Sequence, residues 1–233
     1  MSKIIKALKK IVILVLVLLV PGFLYYLLTA HGKNRYKPLP FYGPKVVAKT
    51  THKVKGKAIA DTLYHAIGDF SLTDQNGEQV SLKTFANKIV VVNFFYTNCP
   101  GICRLMNDNM NQLAANYVKS DMIYFASISV DPGRDTPPVL KEYTHNFSPP
   151  SSRWYFLTGD TTAVYSLARK GFLVDALQTG KDEFVYSDKF ILIDQDRHIR
   201  GYYGTALADV TRLNDEIKVL VAEELRKREK PLY

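Results

Sequence analysis

Residues 89–103 narrow the possible folds more than any other stretch. Val90-Val91-Val92-Asn93-Phe94-Phe95-Tyr96 is an apolar, β-branched and aromatic run, the composition of a strand buried on both faces. Thr97-Asn98-Cys99-Pro100-Gly101 follows, and then Ile102, Leu105/Met106, Met110, Leu113 and Tyr117 recur with a roughly helical period. The pattern reads strand at about 89–96, short turn, helix at about 100–118, with Pro100 suited to the first helical position. Cys99 and Cys103 are the two cysteines of the 233-residue chain. One at the turn and one a helical turn later, they share a side. Unpaired backbone N–H groups and the positive end of the helix dipole favour thiolate at Cys99. Two sulfurs so placed can close a disulfide or hold a soft cation such as Cu(I) or Zn²⁺.

Composition narrows the role of that pair. A globular part of about 170 residues buries roughly 70% of its unfolded surface, enough to fold without a metal or a crosslink. Two cysteines are also too few for a stapled secreted scaffold, so the pair reads as chemical rather than structural. The formal charge of +9 is unevenly spread: residues 1–60 hold twelve basic side chains and no acidic one. The remainder carries 19 basic against 22 acidic residues. A nucleic-acid binder would carry its basic footprint on the folded domain, so no nucleic-acid partner is expected.

Residues 1–10 form a short basic tail, and Ile11 to Leu28 an unbroken apolar run. Eighteen residues at about 1.5 Å each span roughly 27 Å, near the thickness of a bilayer core. The run exceeds the apolar part of a signal peptide, and Leu28-Thr29-Ala30 is a poor cleavage site. The reading is therefore an uncleaved transmembrane anchor at 11–28. Lysines crowd both flanks, so charge alone leaves its orientation open. Residues 29–62, with prolines 38, 40 and 44 and no acidic residue before Asp61, read as a basic linker.

The folded domain is expected from 63 to 233. Asp69–Asp74 and Glu78–Leu82 alternate in polarity across Gln75-Asn76-Gly77, a hairpin signal. After the cysteine helix come a buried strand at Met122–Val130 and a helix capped by Asp135 or Thr136 and running to about Phe147. A short strand at Trp154–Leu157, a helix from Thr161 to about Lys170, and strands at Phe184-Val185, Lys189–Asp194 and Ile199–Tyr203 come next. An amphipathic helix from Asp209 to about Arg228 closes the chain, with Ile217, Leu220, Val221 and Leu225 on one stripe. This order predicts an α/β, thioredoxin-like fold: a mixed central sheet with helices on both faces, an N-terminal hairpin extension, and one transmembrane helix ahead.

Three segments carry a family resemblance. Phe95-Tyr96-Thr97-Asn98-Cys99-Pro100-Gly101-Ile102-Cys103, Ser129-Val130-Asp131-Pro132-Gly133-Arg134-Asp135-Thr136-Pro137, and Phe190–Asp194 with Tyr202-Tyr203-Gly204 resemble the Sco/SenC family. The likeness implies a membrane-anchored thioredoxin-fold protein facing the periplasm or intermembrane space. It further implies copper binding and help in assembling the copper site of cytochrome oxidase, by metal delivery, dithiol reduction, or both. Metal-ligand roles pass to Cys99 and Cys103, and Asp131 matches a family aspartate near the site. The family's third ligand, a histidine, falls on Tyr186 here, and no histidine lies nearby: the five are His31, His52, His65, His145 and His198.

That departure leaves two expectations. Cys99 and Cys103 bind Cu(I) and hand it to an oxidase subunit. Alternatively they form a redox pair, a thiol–disulfide oxidoreductase acting on extracytoplasmic cysteines, Cys99 attacking and Cys103 resolving. A phenol is a poor replacement for imidazole, and Cu(II), which prefers nitrogen and oxygen, should be held far less well than Cu(I). Met106 and Met110 read as core rather than as thioether ligands.

Overall fold

The computed structural model describes residues 2–30, 38–54, 57–99, 101–147, 153–180 and 183–229. The chain divides into two compact units, Met1–Lys37 and Pro38–Tyr233. In the first, helix α1 (Ser2–Ala30) contains an apolar stretch, Leu8–Leu27, long enough to cross a bilayer.

The second unit is built on a seven-stranded mixed sheet. Its strands are β3 (Ser71–Asp74), β4 (Gln79–Ser81), β5 (Ile89–Phe95), β6 (Ile123–Ser129), β7 (Trp154–Thr158), β10 (Phe190–Ile193) and β11 (Ile199–Tyr203), in the order β11-β10-β5-β6-β7-β3-β4. β5, β6 and β7 run parallel, and the remaining pairings are antiparallel. All seven residues of β5 are buried, as expected of a central strand covered on both faces. Helices α2 (Ile102–Asn116), α3 (Pro137–Thr144), α4 (Thr161–Ser166, continued by a π-helical turn, Leu167–Gly171) and α5 (Leu207–Glu229) complete the unit. The mixed sheet with flanking helices is thioredoxin-like, and β3–β4 is the expected hairpin, joined to the sheet edge through β7.

Helix α2 is attached to the sheet by a buried polar chain rather than by apolar contact alone. Trp154 Nε1 donates to Ser127 Oγ (2.9 Å), and Ser127 Oγ to Asn93 Oδ1 (2.6 Å). Asn93 Nδ2 donates to Asn107 Oδ1 (2.9 Å), and Asn107 Nδ2 to the Tyr143 hydroxyl (3.2 Å). Each link satisfies a group that would be costly to bury alone. Asn93 and Asn107 thereby fix where the first turns of α2 sit over β5. Met106 and Met110 are fully buried beside Asn107, as core residues.

The structure departs from the sequence reading ahead of residue 63. Instead of a featureless linker, Lys45–Val54 (β1) and Lys57–Tyr64 (β2) pair as an antiparallel hairpin with a register shift between Val47 and Thr51. The compact unit reaches back to Pro38. The segment around Leu39 is held by Arg200, 1% exposed, whose guanidinium reaches Leu39 O (2.6 Å), Pro40 O (3.2 Å), Asp194 Oδ2 (3.1 Å) and Glu223 Oε2 (2.7 Å). Its Cζ also lies 4.2 Å from the Phe41 ring centroid. A buried cation needs such partners, and the chain around Leu39 supplies half of them. Smaller differences concern surfaces. Ile102, Leu105 and Leu225, placed by periodicity on buried stripes, are exposed, and the buried face of α2 runs through Cys103, Met106, Asn107, Met110, Leu113 and Ala114. Helix α3 ends at Thr144, short of Phe147.

Candidate dithiol centre

Cys99 and Cys103 are joined in a disulfide, with Cα atoms 5.9 Å apart. The turn between β5 and α2 brings them together. Gly101 is the residue before the helix and takes a positive φ of 84°, a conformation that a glycine adopts without strain. The expected helix start at Pro100 lies outside the described residues, and α2 itself begins at Ile102. No side chain caps it, so its first N–H groups face the disulfide region unclaimed by a side chain. The sulfurs differ in access: Cys103 is 1% exposed and Cys99 only half-buried.

A second carboxylate-based link holds the turn from beneath. Asp135 accepts hydrogen bonds from Thr97 N (3.0 Å), from the Thr97 hydroxyl and from the Ser129 hydroxyl. Burial raises its carboxyl pKa above the ordinary range, the Ser129 and Thr97 bonds oppose that shift, and the nearby Asp131 charge adds to it. Thr136, not Asp135, therefore occupies the N-cap of α3, and it makes no side-chain capping bond. Asp131 organises its own turn: its carbonyl accepts from Arg134 N and Asp135 N, and its carboxylate pairs with the Arg134 side chain.

Tyr186 completes the site. It ends a short strand, β9 (Phe184–Tyr186), paired with β8 (Ala176–Gln178) in a separate two-stranded sheet. Its hydroxyl lies 2.9 Å from Cys103 Sγ and 3.2 Å from Cys99 Sγ. Disulfide sulfurs carry no proton, so the phenol is the donor, its single O–H shared between the two. Burial first, then the neighbouring Tyr96, Asp188 and Tyr143, push its pKa up to about 12. The β8–β9 hairpin reaches the turn through aromatic contacts: Phe184 to Tyr96 at 4.8 Å and Tyr186 to Tyr96 at 5.9 Å between ring centroids. Exposed Ile102 and Leu105 flank Cys103 in sequence, and exposed Val185, beside Tyr186, pairs with exposed Leu177.

The described histidine side chains make their contacts elsewhere. His65 Nε2 lies 2.7 Å from Gly171 O, His145 Nδ1 3.3 Å from Glu142, and His198 Nδ1 3.2 Å from Asp194. His31 and the side chain of His52 lie outside what the structure describes. A cavity of about 400 Å³ is lined by Phe70, Phe85, Val92, Ile128 and Phe172 and includes neither cysteine nor Tyr186. Val92 and Asn93 point to opposite faces of the sheet, so this cavity lies across β5 from the Asn93–Asn107 link.

The donor set is two sulfurs and one phenol. Reduced, the sulfurs suit Cu(I), which two thiolates can hold; the neutral phenol adds little as a ligand. A family model described as SCO1/SenC matches residues 60–222. The chain belongs to the SCO1/SenC family. Within that family it is 30% identical over 201 residues to an SCO2-like protein of Rickettsia typhi, covering 83% of this chain and 90% of that one. It is similar to the crystal structure of a SCO1/SenC family lipoprotein from Bacillus anthracis, at TM-score 0.63 and 26% identity over 67% of this chain and 95% of that one. It is also similar to Arabidopsis thaliana ScoI with copper bound, at TM-score 0.57 and 27% identity over 70% of this chain and 99% of that one. SCO1/SenC membership and the Cys-x3-Cys pair together support a copper-handling role of the Sco kind. Helix α1 and the same membership are consistent with single-pass membrane anchoring.

The sequence pointed to both cysteines and to position 186, but not to what Tyr186 touches. It also passed over Asn93, whose signal was present: a lone amide within a strand buried on both faces needs a partner.

Proposed function

We propose that this chain binds Cu(I) through Cys99 and Cys103 once their disulfide is reduced, and assists assembly of the copper site of respiratory cytochrome oxidase. The observation that carries the reading is the juxtaposition of the two sulfurs at the β5–α2 turn, in a chain of this family and similar to a Sco protein solved with copper bound. The domain faces the periplasm or intermembrane space, where a disulfide persists. Cu(I) is cargo, passed by ligand exchange to thiolate or imidazole on the oxidase subunit while the apolar residues around the pair exclude water.

The test is a titration of the reduced full chain with Cu(I) against a chelator of known affinity. One equivalent competing successfully supports the reading, and failure to compete at any chelator ratio overturns it.

A second reading has a specific observation behind it. Tyr186 occupies the position where the family resemblance expects an imidazole, and its hydroxyl is hydrogen-bonded to both sulfurs. That replacement weakens metal binding and leaves dithiol chemistry intact, which favours a reductant of oxidase cysteines or of another extracytoplasmic thiol protein. Mixed disulfides trapped on a Cys103→Ser chain support it, and a chain that traps none counts against it.

A further inference from the structure

Both readings require the Cys99–Cys103 disulfide to open, and the side chain best placed to assist is Tyr186. We infer that the Tyr186 hydroxyl is the hydrogen-bond donor that receives the Cys103 thiolate as this disulfide is reduced, directing the incoming thiol to Cys99. The inference rests on the proposed reading that the pair works in its reduced form.

Access and hydrogen bonding agree on the direction. Cys99 is half-buried and Cys103 is 1% exposed, so an incoming thiolate reaches Cys99. The sulfur that leaves is then Cys103, and it leaves as an anion in a place closed to water. An anion there needs a donor already in position. Tyr186 Oη lies 2.9 Å from Cys103 Sγ against 3.2 Å from Cys99 Sγ, nearer the sulfur that acquires charge. Its ring is held by Tyr96 and its backbone by pairing with Ala176, so the hydroxyl need not reorganise. The uncapped N-terminus of α2 adds partial positive charge on the same side.

A thiolate of a reduced dithiol attacks Cys99 Sγ. A sulfur–sulfur bond forms to it, the Cys99–Cys103 bond breaks, and that electron pair passes to Cys103 Sγ, which accepts the Tyr186 hydrogen bond. The second thiolate of the dithiol attacks the first and expels Cys99 as thiolate. Two electrons reach the chain, the dithiol becomes a disulfide, and the two protons it sheds match the two that the chain's sulfurs take up on becoming thiols. The phenol keeps its own proton throughout.

The experiment uses the full oxidised chain and dithiothreitol as the dithiol. Tyr186→Phe retains the ring that packs on Tyr96 and removes the donor. Its reduction should slow about tenfold, the loss of one hydrogen bond to a charged group. The thiolate that the hydroxyl receives is transient and both sulfurs end as thiols, so the equilibrium with dithiothreitol should stay near the wild-type value. A role in packing alone predicts no slowing, so a wild-type reduction rate in a folded Tyr186→Phe chain overturns the inference. Should that variant fail to fold, a fluorinated tyrosine at 186, a stronger donor with the same shape, supplies the opposite arm: reduction faster than wild type supports the inference, and an unchanged rate overturns it. The attacked sulfur is read from single-cysteine chains and a chromogenic disulfide. Cys103→Ser should react faster than Cys99→Ser, and equal rates overturn the assignment. Failure of the wild-type reduced chain to hold Cu(I) would sink the copper reading and leave these measurements standing, so the two failures are distinguishable.

Discussion

The turn that carries Cys99 and Cys103 and the hairpin that carries Tyr186 meet at one hydroxyl but are held by different physics. The turn joins a fully buried strand to a helix fixed over it by the Trp154–Ser127–Asn93–Asn107–Tyr143 chain, and Asp135 ties its Thr97 from below. The β8–β9 hairpin has three residues per strand and stands outside the main sheet. It is joined to the turn by the Tyr96, Phe184 and Tyr186 rings. Ring contacts of this kind contribute about 1 kcal/mol each, whereas an opened buried polar chain costs more per link. The lesson is that the sulfurs sit on the rigid partner, and the group that modulates them sits on the compliant one. An arrangement of that kind lets residue 186 vary without disturbing the pair.

The turn and the hairpin should respond differently to substitution. Cys103→Ser removes a sulfur from the rigid partner and should abolish competitive Cu(I) binding altogether, as measured by chelator titration. Tyr186→His, on the compliant partner, should leave the fold and Cu(I) binding in place and make Cu(II) affinity appear, seen as a new visible absorption. Equal Cu(II) affinity in the wild type would show that the phenol is no handicap.

Asn93→Ala strands the Asn107 amide and the Ser127 hydroxyl in the core, and should lower stability by about 2–3 kcal/mol in denaturant unfolding. Phe184→Ala should cost only about 1 kcal/mol, and its effect should be local: faster amide exchange in β9 with β5 unchanged. If Phe184→Ala destabilises as much as Asn93→Ala, the two regions are not held differently. The smallest effect concerns pH. The Asp135 carboxyl has a raised pKa in the fold, so the folded chain binds its proton more readily than the unfolded chain does. Stability from this group therefore rises as pH falls from the raised value toward the ordinary carboxylate range, and is lost as pH rises back through it. Thermal unfolding of wild type relative to Asp135→Asn should show the wild-type advantage growing on acidification.

Much of the site was legible in the sequence because it is local. A β-branched run, a turn and a 3.6-residue period place Cys99 and Cys103 together with no knowledge of the rest of the chain. Placing Leu105 and Ile102 on the buried face failed because apolar residues on both sides of Cys103 left the phase of the helix open. The buried polar chain set it, seating Asn107 over Asn93. The region before residue 63 was misread for a related reason. Prolines and lysines read as solvated chain, but Arg200, 161 residues from Leu39, holds the Leu39 and Pro40 carbonyls, and Lys45–Val54 is ordered by pairing with Lys57–Tyr64.

Spacing and residue chemistry within short windows were enough for the strand–turn–helix, the sulfur pair and the apolar run Ile11–Leu28, while position 186 was marked out by the family resemblance. Only the tertiary structure decided that the Tyr186 hydroxyl touches both sulfurs, that Cys99 is open and Cys103 closed, and that Arg200 gathers the chain around Leu39. Those contacts join residues 83 or more positions apart. They exist only once the strand order has brought distant segments to the same place.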